Sequence, residues 1–310
     1  MYMEISVVLC TYNRSEGLQK VLSNLARLTL PECSSCEVIV VDNNSMDDTK
    51  AVVEEFSRTR PGFFKYVLES RQGKSFALNT GIGLAKGKII AFTDDDVELD
   101  RDWLVEITKA FESFDCIGIG GKIIAVWNCQ KPRWYVESGP YKLMEAIVRL
   151  DLGEQPLELG KPVWGANMAF RRTVFEKYGL FRGDLGPNSE NSIRGEDSEF
   201  CWRLLRGGEK VMYAPKVVVY HPVEEKRTKK NYFKSWYFDY GRALVRTGDI
   251  PEQAICYFGV PRYLFRQYVE ASAKWLCCLN PRGRFYYKLQ ACLARGAIVE
   301  SRGRPKLAKL

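Results

Sequence analysis

Lys88-Ile89-Ile90-Ala91-Phe92-Thr93-Asp94-Asp95-Asp96 is an apolar, strand-like run that ends in three adjacent carboxylates. Carboxylates this close repel one another, and a divalent cation relieves the repulsion. Oxygen donors of this kind suit Mg²⁺ or Mn²⁺ better than zinc. In an extended segment alternate side chains share a face, so Asp94 and Asp96 can address one ion. Such an ion is commonly shared with phosphates. A solvated acidic turn would explain the run alone. Its place at the mouth of a buried strand, with two further acidic sites fitting around it, argues for a ligand instead.

Upstream of this run, strand and helix patterns alternate. Ile5–Cys10 and Glu37–Val41 read as strands buried on both faces, and Phe63–Leu68 as a third. Leu18, Val21, Leu22, Leu25 and Leu28 recur at helical spacing, with Ser15 as N-cap. Asp47-Asp48-Thr49 opens a helix through Phe56, Phe76–Lys86 forms the next, and Trp103, Leu104, Ile107 and Phe111 mark a fourth. The alternation predicts an α/β fold with a mostly parallel central sheet and helices on both faces. Downstream, Cys116–Val126 and Asn167–Arg171 read as strands, Glu196–Arg206 as a helix, and Lys210–Tyr213 and Val217–Tyr220 as two short strands. Residues 127–160 are irregular and aromatic-rich, and the tail Ser301–Lys306 reads as disordered.

The chain of 310 residues, 46% hydrophobic and 13% aromatic, can bury a large core. Residues 226–310 hold 18 Lys and Arg against 5 Asp and Glu, a net +13 that leaves −5 for residues 1–225. A catalytic domain over 1–225 and a basic, aromatic-rich helical extension over 226–310 are expected, facing different partners. Met1–Ile5 moves straight into a strand without the pattern of a secretory signal, and no stretch of 18 apolar residues occurs. The ten cysteines are therefore expected as reduced thiols in a cytoplasmic protein. Cys33-Ser34-Ser35-Cys36 has no second pair for a zinc site and reads as a loop.

Ligands of open α/β sheets sit at the carboxyl ends of the strands. Those ends carry Thr11-Tyr12-Asn13-Arg14, Asp42-Asn43-Asn44-Ser45 and the three aspartates. One crevice could thus offer an aromatic face and a carboxylate to a nucleoside, and a metal to its diphosphate. Each turn alone has local explanations; their joint placement is the signal. Lys74, in Arg71-Gln72-Gly73-Lys74-Ser75, offers a cation at a helix start, where phosphate can bind, or is a surface lysine. Gly81-Ile82-Gly83 lacks the spacing of a dinucleotide loop. Glu196 and Asp197 open a helix, as dipole compensation or as a general base. His221, the single histidine, follows a strand and is a credible third metal ligand.

Together these segments resemble the family 2 glycosyltransferases, inverting enzymes with the GT-A fold. The matching stretches are Val7–Arg14, Glu37–Ser45, Asn79–Ile82, Phe92–Asp96, Gly165–Arg172 and Gly195–Phe200, in the family's order over residues 4–222. The resemblance implies that Thr11, Tyr12 and Asp42 hold the nucleoside of a nucleotide-diphosphate sugar, with Arg14, Lys74, Asp94 and Asp95 also on the donor side. Asp94 and Asp96 match the ends of the D-x-D that binds a divalent metal, Mn²⁺ or Mg²⁺, and His221 a histidine that ligates it in some members. A third Asp at 95 leaves open which two carboxylates touch the ion. Gly165, Ala166 and Asn167 match the segment lining sugar and acceptor, with Glu196 beside it, and Asp197 matches the catalytic base.

The implied reaction moves a sugar to a hydroxyl of a glycan or lipid-linked acceptor, in polysaccharide or glycolipid synthesis. A nucleotidyltransferase making a nucleotide sugar and a catalytically silent nucleotide-binding scaffold are the rival readings. Late placement of Glu196-Asp197 favours glycosyl transfer over the first, and intact Asp96 and Asp197 oppose the second. Trp127, Trp134, Tyr135 and Tyr141 could stack on sugars or pack a core. The basic residues of 226–310, mixed with Tyr, Phe and Trp, suit an anionic membrane surface on its inner face, or packing with solvated charges. No nucleic acid partner is expected.

Overall fold

The computed structural model describes residues 3–31, 35–143, 146–188, 192–248 and 254–303. Cys33 and the tail from Arg304 lie outside these residues. The chain forms two compact units. The first comprises Met1–Val126, Val148–Ser189 and Glu196–Pro222, and the second Trp127–Ile147, Glu190–Gly195 and Val223–Leu310.

The first unit runs β1 (Met3–Thr11), α1 (Ser15–Leu25), β2 (Ser35–Asp42), α2 (Thr49–Thr59), β3 (Phe64–Leu68), α3 (Lys74–Leu84) and β4 (Ile89–Asp94). It continues with β5 (Glu98–Leu99), α4 (Trp103–Ser113), β6 (Gly118–Trp127), β7 (Leu157–Glu158), β8 (Asn167–Arg171), α5 (Thr173–Tyr178), α6 (Glu196–Arg206) and β9 (Val211–Val223). The sheet order is β3-β2-β1-β4-β8-β6-β9-β5, with β7 on β9. Strands β3, β2, β1 and β4 are parallel, and β8 pairs antiparallel with both β4 and β6.

Parallel strands lie between helices, so their sequences are apolar throughout. Ile5, Val7, Val8, Leu9, Val38, Ile39, Val40, Val41, Ile90 and Ala91 are all fully buried. Each large aliphatic side chain among them stabilises the fold by roughly 1.5–3 kcal/mol relative to exposure. Helix α1 packs beside α2, and α3 lies on β1 and β2. The right-handed crossover rule puts α3 on the face opposite α1 and α2. Gly81 makes that seating possible, because a Cβ there would come within 2.4 Å of Val8 Cγ1. The chain steps outward from β1 to β2 and β3, then returns to β4 on the other side of β1. The carboxyl ends of β1 and β4 therefore form a topological switch point, where such sheets bind ligands.

Three local expectations are corrected. Ser15 is the first residue of α1 instead of its cap: Arg14 precedes the helix, and the Ser15 N–H donates to Asp47 Oδ2 at 2.8 Å. The two short strands after Lys210 are one 13-residue strand, β9, which stays extended through Pro215. Proline removes a ladder donor without bending the chain, so the sequence shows a break that the backbone does not make. Ser301–Gly303 are helical, not disordered.

The second unit holds α7 (Lys230–Arg246), a hairpin of β10 (Cys256–Tyr257) and β11 (Val260–Pro261), α8 (Arg262–Cys277) and α9 (Pro281–Gly303). Helix α9 packs on both α7 and α8. Two glycines let α7 and α9 approach closely: a Cβ on Gly241 would lie 2.0 Å from the Leu293 carbonyl oxygen, and one on Gly296 1.9 Å from that of Phe238. Arg242 and Arg246 both reach Glu300, at 3.0 and 2.7 Å. Trp134 packs edge-on against Phe233 and Phe285, with ring centres 5.0 and 4.9 Å apart, and Tyr135 is buried beside it. Core packing therefore accounts for these two aromatics. No helix among the described residues is long and apolar enough to cross a membrane.

Candidate active site

The end of β4 meets the ends of β1 and β2 in register: Cys10 lies opposite Asp94, and Thr11 opposite Asp42. The three aspartates then part company. Asp94 accepts a hydrogen bond from Lys74 Nζ at 2.7 Å. Asp95 is buried, accepts from the Thr11 hydroxyl at 2.7 Å and lies 3.4 Å from Arg14 Nη1. Burial pushes its carboxyl up to about 6, against the pull of Arg14. Asp96 lies 3.3 Å from Arg14 Nη1 and 3.6 Å from His221 Nε2. His221 is itself buried, with Nδ1 3.2 Å from the Pro222 carbonyl oxygen. A donor bond from Nδ1 to that carbonyl would fix the ring with Nε2 turned to Asp96.

The remaining donor-side candidates are placed by turn chemistry. Asp42 accepts from the Ser45 N–H at 2.8 Å and from the Tyr66 hydroxyl at 2.9 Å, so its carboxylate also fixes the turn after β2. Tyr12 is 40% exposed just beyond β1. Asn43, not anticipated, organises the loop before α3. Its amide donates to the carbonyls of Glu69 and Arg71, and its Oδ1 accepts from the Gly73 N–H. Asn is favoured in turns for such side chain to backbone bonds, and Asn43-Asn44 beside Asp42 was the available signal. Glu69 completes this frame by accepting from Arg71 and Thr80.

Lys74 connects the two halves of the site. Besides Asp94, it lies 3.7 Å from Glu196 Oε1. Burial opposes its charge, but Asp94, Glu196 and Asp197 outweigh that and hold the ammonium well above its usual range. Glu196 is buried, and its Oε2 has no hydrogen-bond partner, alone in this respect among the described residues. Burial first, then Asp197, pushes its carboxyl up, with Lys74 opposing. Asp197 is anchored at both oxygens: the Gly165 N–H donates to Oδ2 at 2.8 Å and the Ser198 N–H to Oδ1 at 2.6 Å. Gly165 leaves the space open, since a Cβ there would lie 3.3 Å from Asp197 Oδ2 and 3.6 Å from Lys74 Nζ.

Ala166 is buried, and its carbonyl accepts from Thr93. Asn167, expected along the acceptor, instead knots the core. It is 1% exposed; its Oδ1 accepts from Trp103 Nε1, and its Nδ2 donates to the carbonyls of Lys122 and Val217. Its side-chain amide is thus tied to α4, β6 and β9.

For a divalent metal the donor set is short. Among the described residues no three His, Cys, Asp or Glu side chains gather as a ligand group. Asp94 is engaged by Lys74, Asp95 by Thr11 and Asp96 by Arg14, and of the three it is Asp96 that faces His221. One carboxylate and one imidazole fit Mn²⁺ or Mg²⁺ when diphosphate oxygens and water complete the shell. A surface cavity of ≈ 520 Å³ lined by Ile117, Thr173, Val174 and Lys177 belongs elsewhere. It lies toward the amino ends of β4 and β6, since Gly118 and Ile90 both pair with Phe170.

The sequence profile described as "Glycosyl transferase family 2" matches residues 6–179. A glucosyl-dolichyl phosphate glucuronosyltransferase of Haloferax volcanii is 27% identical over 255 residues, covering 78% of this chain and 77% of that protein. The succinoglycan biosynthesis protein ExoM of Rhizobium meliloti is 25% identical over 302 residues, covering 96% and 92%. Among solved structures, mannosyltransferase PcManGT from Pyrobaculum calidifontis, in complex with GDP-Man and Mn²⁺, superposes with a TM-score of 0.57 at 21% identity, covering 97% of this chain and 74% of that one. At that identity the likeness speaks to the fold.

Proposed function

The chain belongs to glycosyl transferase family 2, and from that membership we propose that its strand-end crevice transfers a hexosyl-type sugar from a nucleotide-diphosphate sugar to an acceptor hydroxyl, with inversion. The observation that carries this reading is Lys74. Its bond to Asp94 and its approach to Glu196 bring the start of α6, with Asp197, next to the switch point of a GT-A sheet.

Asp197 is the base. Its two backbone bonds fix the carboxylate in one orientation, which a base needs for the proton it removes. As the acceptor proton passes to Asp197, the acceptor oxygen bonds to the anomeric carbon. The bond from that carbon to the diphosphate oxygen breaks, and its electron pair leaves with the diphosphate. One displacement with no covalent intermediate inverts the configuration. Thr11, Tyr12, Arg14 and Asp42 form the nucleoside side of the crevice, and Lys74 faces the phosphates. Asp96 and His221 would hold a divalent metal, which supplies positive charge to the departing diphosphate.

The names of the two relatives support a glycan or a lipid-linked acceptor. We place the protein in the cytoplasm, peripheral on the inner face of an anionic membrane. The net +13 of residues 226–310 supports this placement, as does the exposure of Phe258, Val269, Leu276 and Leu279 at 94%, 64%, 66% and 97%.

Purified protein should release nucleoside diphosphate from one member of a nucleotide-sugar panel in the presence of Mn²⁺ or Mg²⁺. The same donor should raise the melting temperature. Pyrophosphate release from a nucleoside triphosphate, or indifference to every nucleotide sugar, would overturn the reading.

A further inference from the structure

The second unit contains a cleft of ≈ 280 Å³ lined by Lys230, Lys234, Trp275, Pro281, Arg284, Phe285 and Lys288. Four of its seven lining residues are cations, and none is a carboxylate. Nearby surface cations of the same unit pair with carboxylates: Lys226 with Glu224, Lys229 with Glu225 and Arg266 with Glu270. Among the described residues, none of Lys230, Lys234, Arg284 and Lys288 makes such a pair. Lys230 instead lies 5.2 Å from the Phe285 ring centre, and Lys288 4.4 Å from that of Trp275. Contacts of this kind orient an ammonium without neutralising it.

Helix ends add to this field. Lys230 and Lys234 occupy the first two turns of α7, which begins without a side-chain cap. Pro281, Arg284, Phe285 and Lys288 lie near the start of α9, where Pro281 suits the first helical position. The first turns of both helices thus border one concavity. The α9 end is capped by Asn280 Oδ1, which accepts from the Arg282 and Gly283 N–H groups, while the uncapped α7 end favours an anion. Trp275, in the last turn of α8, adds an apolar wall, and Leu276 and Leu279 beside it in sequence are largely exposed.

We infer that this cleft binds a phosphate monoester or diphosphate group, with the adjoining apolar surface suited to the chain that carries it. A dense dianion matches four unneutralised cations in a small space, and charge-assisted bonds to phosphate are among the stronger ones available to Lys and Arg. The site goes beyond the transferase reading, because none of its residues belongs to the strand-end crevice.

Two probes separate the sources of that phosphate: inorganic pyrophosphate with EDTA present, and vesicles of phosphatidylcholine containing either phosphatidic acid or phosphatidylserine. Full-length protein should bind pyrophosphate saturably, and K234Q/R284Q should bind it roughly 10-fold or more weakly, given the contribution expected of each cation. The control R266Q/K274Q removes the same charge from α8 outside the cleft and should bind pyrophosphate as the unaltered protein does. A preference for phosphatidic acid over phosphatidylserine, lost in K234Q/R284Q, identifies a lipid headgroup. Pyrophosphate binding without that preference identifies a soluble phosphate. Equal losses in both double variants, or no saturable binding of either probe, would overturn the cleft and leave only diffuse charge attraction. Asp96→Asn should bind both probes normally, so failure of the transferase reading and failure of this site are distinguishable.

Discussion

Replacing Glu69 with Gln should destabilise the protein by about 2 kcal/mol at neutral pH, and the loss should shrink in acid. Glu69 Oε1 accepts from the Arg71 N–H and Nε at 2.8 and 3.0 Å, and Oε2 from Arg71 Nη2 at 2.8 Å and from Thr80. Bonds from Arg71 hold its carboxyl down at about 2, from an ordinary 4.5. In full that depression corresponds to ~3 kcal/mol. Arg71 is 64% exposed, so solvent screens part of the interaction and we retain roughly two-thirds of the total. The sign follows from the depressed folded value. The stabilisation is complete above about 4.5 and is lost as pH falls toward about 2.

Urea unfolding of the two proteins at pH 7 and at pH 3.5 reads this directly. At the lower pH the gap between them should have closed by roughly two-fifths. The substitution keeps the shape of the side chain and one acceptor, so the charge is what is tested. A gap that stays constant between the two pH values would show that Glu69 acts through packing and neutral hydrogen bonds. A gap below ~0.5 kcal/mol at pH 7 would show that the Arg71 contact is solvent-screened throughout.

Asp96→Asn should abolish transfer while leaving the melting temperature within a few degrees of the unaltered protein; near-normal turnover would remove Asp96 from the metal pair. Asp197→Asn should lower turnover by roughly 10²–10⁴-fold with the nucleotide still bound. Lost donor affinity with turnover intact would move Asp197 to the donor side. The protein should float with anionic vesicles at low salt and less so at high salt, and equal behaviour with neutral vesicles would return residues 226–310 to packing alone.

The alternation of buried apolar runs and helical spacings was legible in the sequence, because a parallel sheet leaves its strands no polar face. It followed that Thr11, Asp42 and Asp94 end neighbouring strands, as their register confirms. What each side chain does at that edge was not legible. Asn167 and Gly165 sit two residues apart, yet one is consumed by Trp103, Lys122 and Val217 and the other supports Asp197. Those partners come from β6, β9 and two helices, and only the assembled sheet brings them together. Lys74 was ambiguous for the same reason: its two partners lie 20 and 122 positions away in the chain. Gly81 had a packing reason that no spacing rule could supply, since its neighbours are Val8 and Val41 on adjacent strands.

The partners of the three aspartates bear on how a metal would bind. A run of three carboxylates suggests a strong free-standing cation site, but Lys74 and Arg14 already offset much of that charge. Asp96, which also meets Arg14, and His221 are a sparse ligand pair. A divalent ion held by one carboxylate and one imidazole depends on other oxygens for the rest of its shell, and the diphosphate of the donor is their natural source. Metal and nucleotide should therefore bind with positive coupling, each tightening the other by the same factor. Titrating Mn²⁺ by calorimetry, without and then with saturating nucleoside diphosphate, should show affinity rising by roughly 5–150-fold. The nucleotide titrated with and without Mn²⁺ should give the same ratio. Equal Mn²⁺ affinity in the two titrations would mean that the protein alone completes the shell, and that a second aspartate turns from Lys74 or Thr11 to the ion.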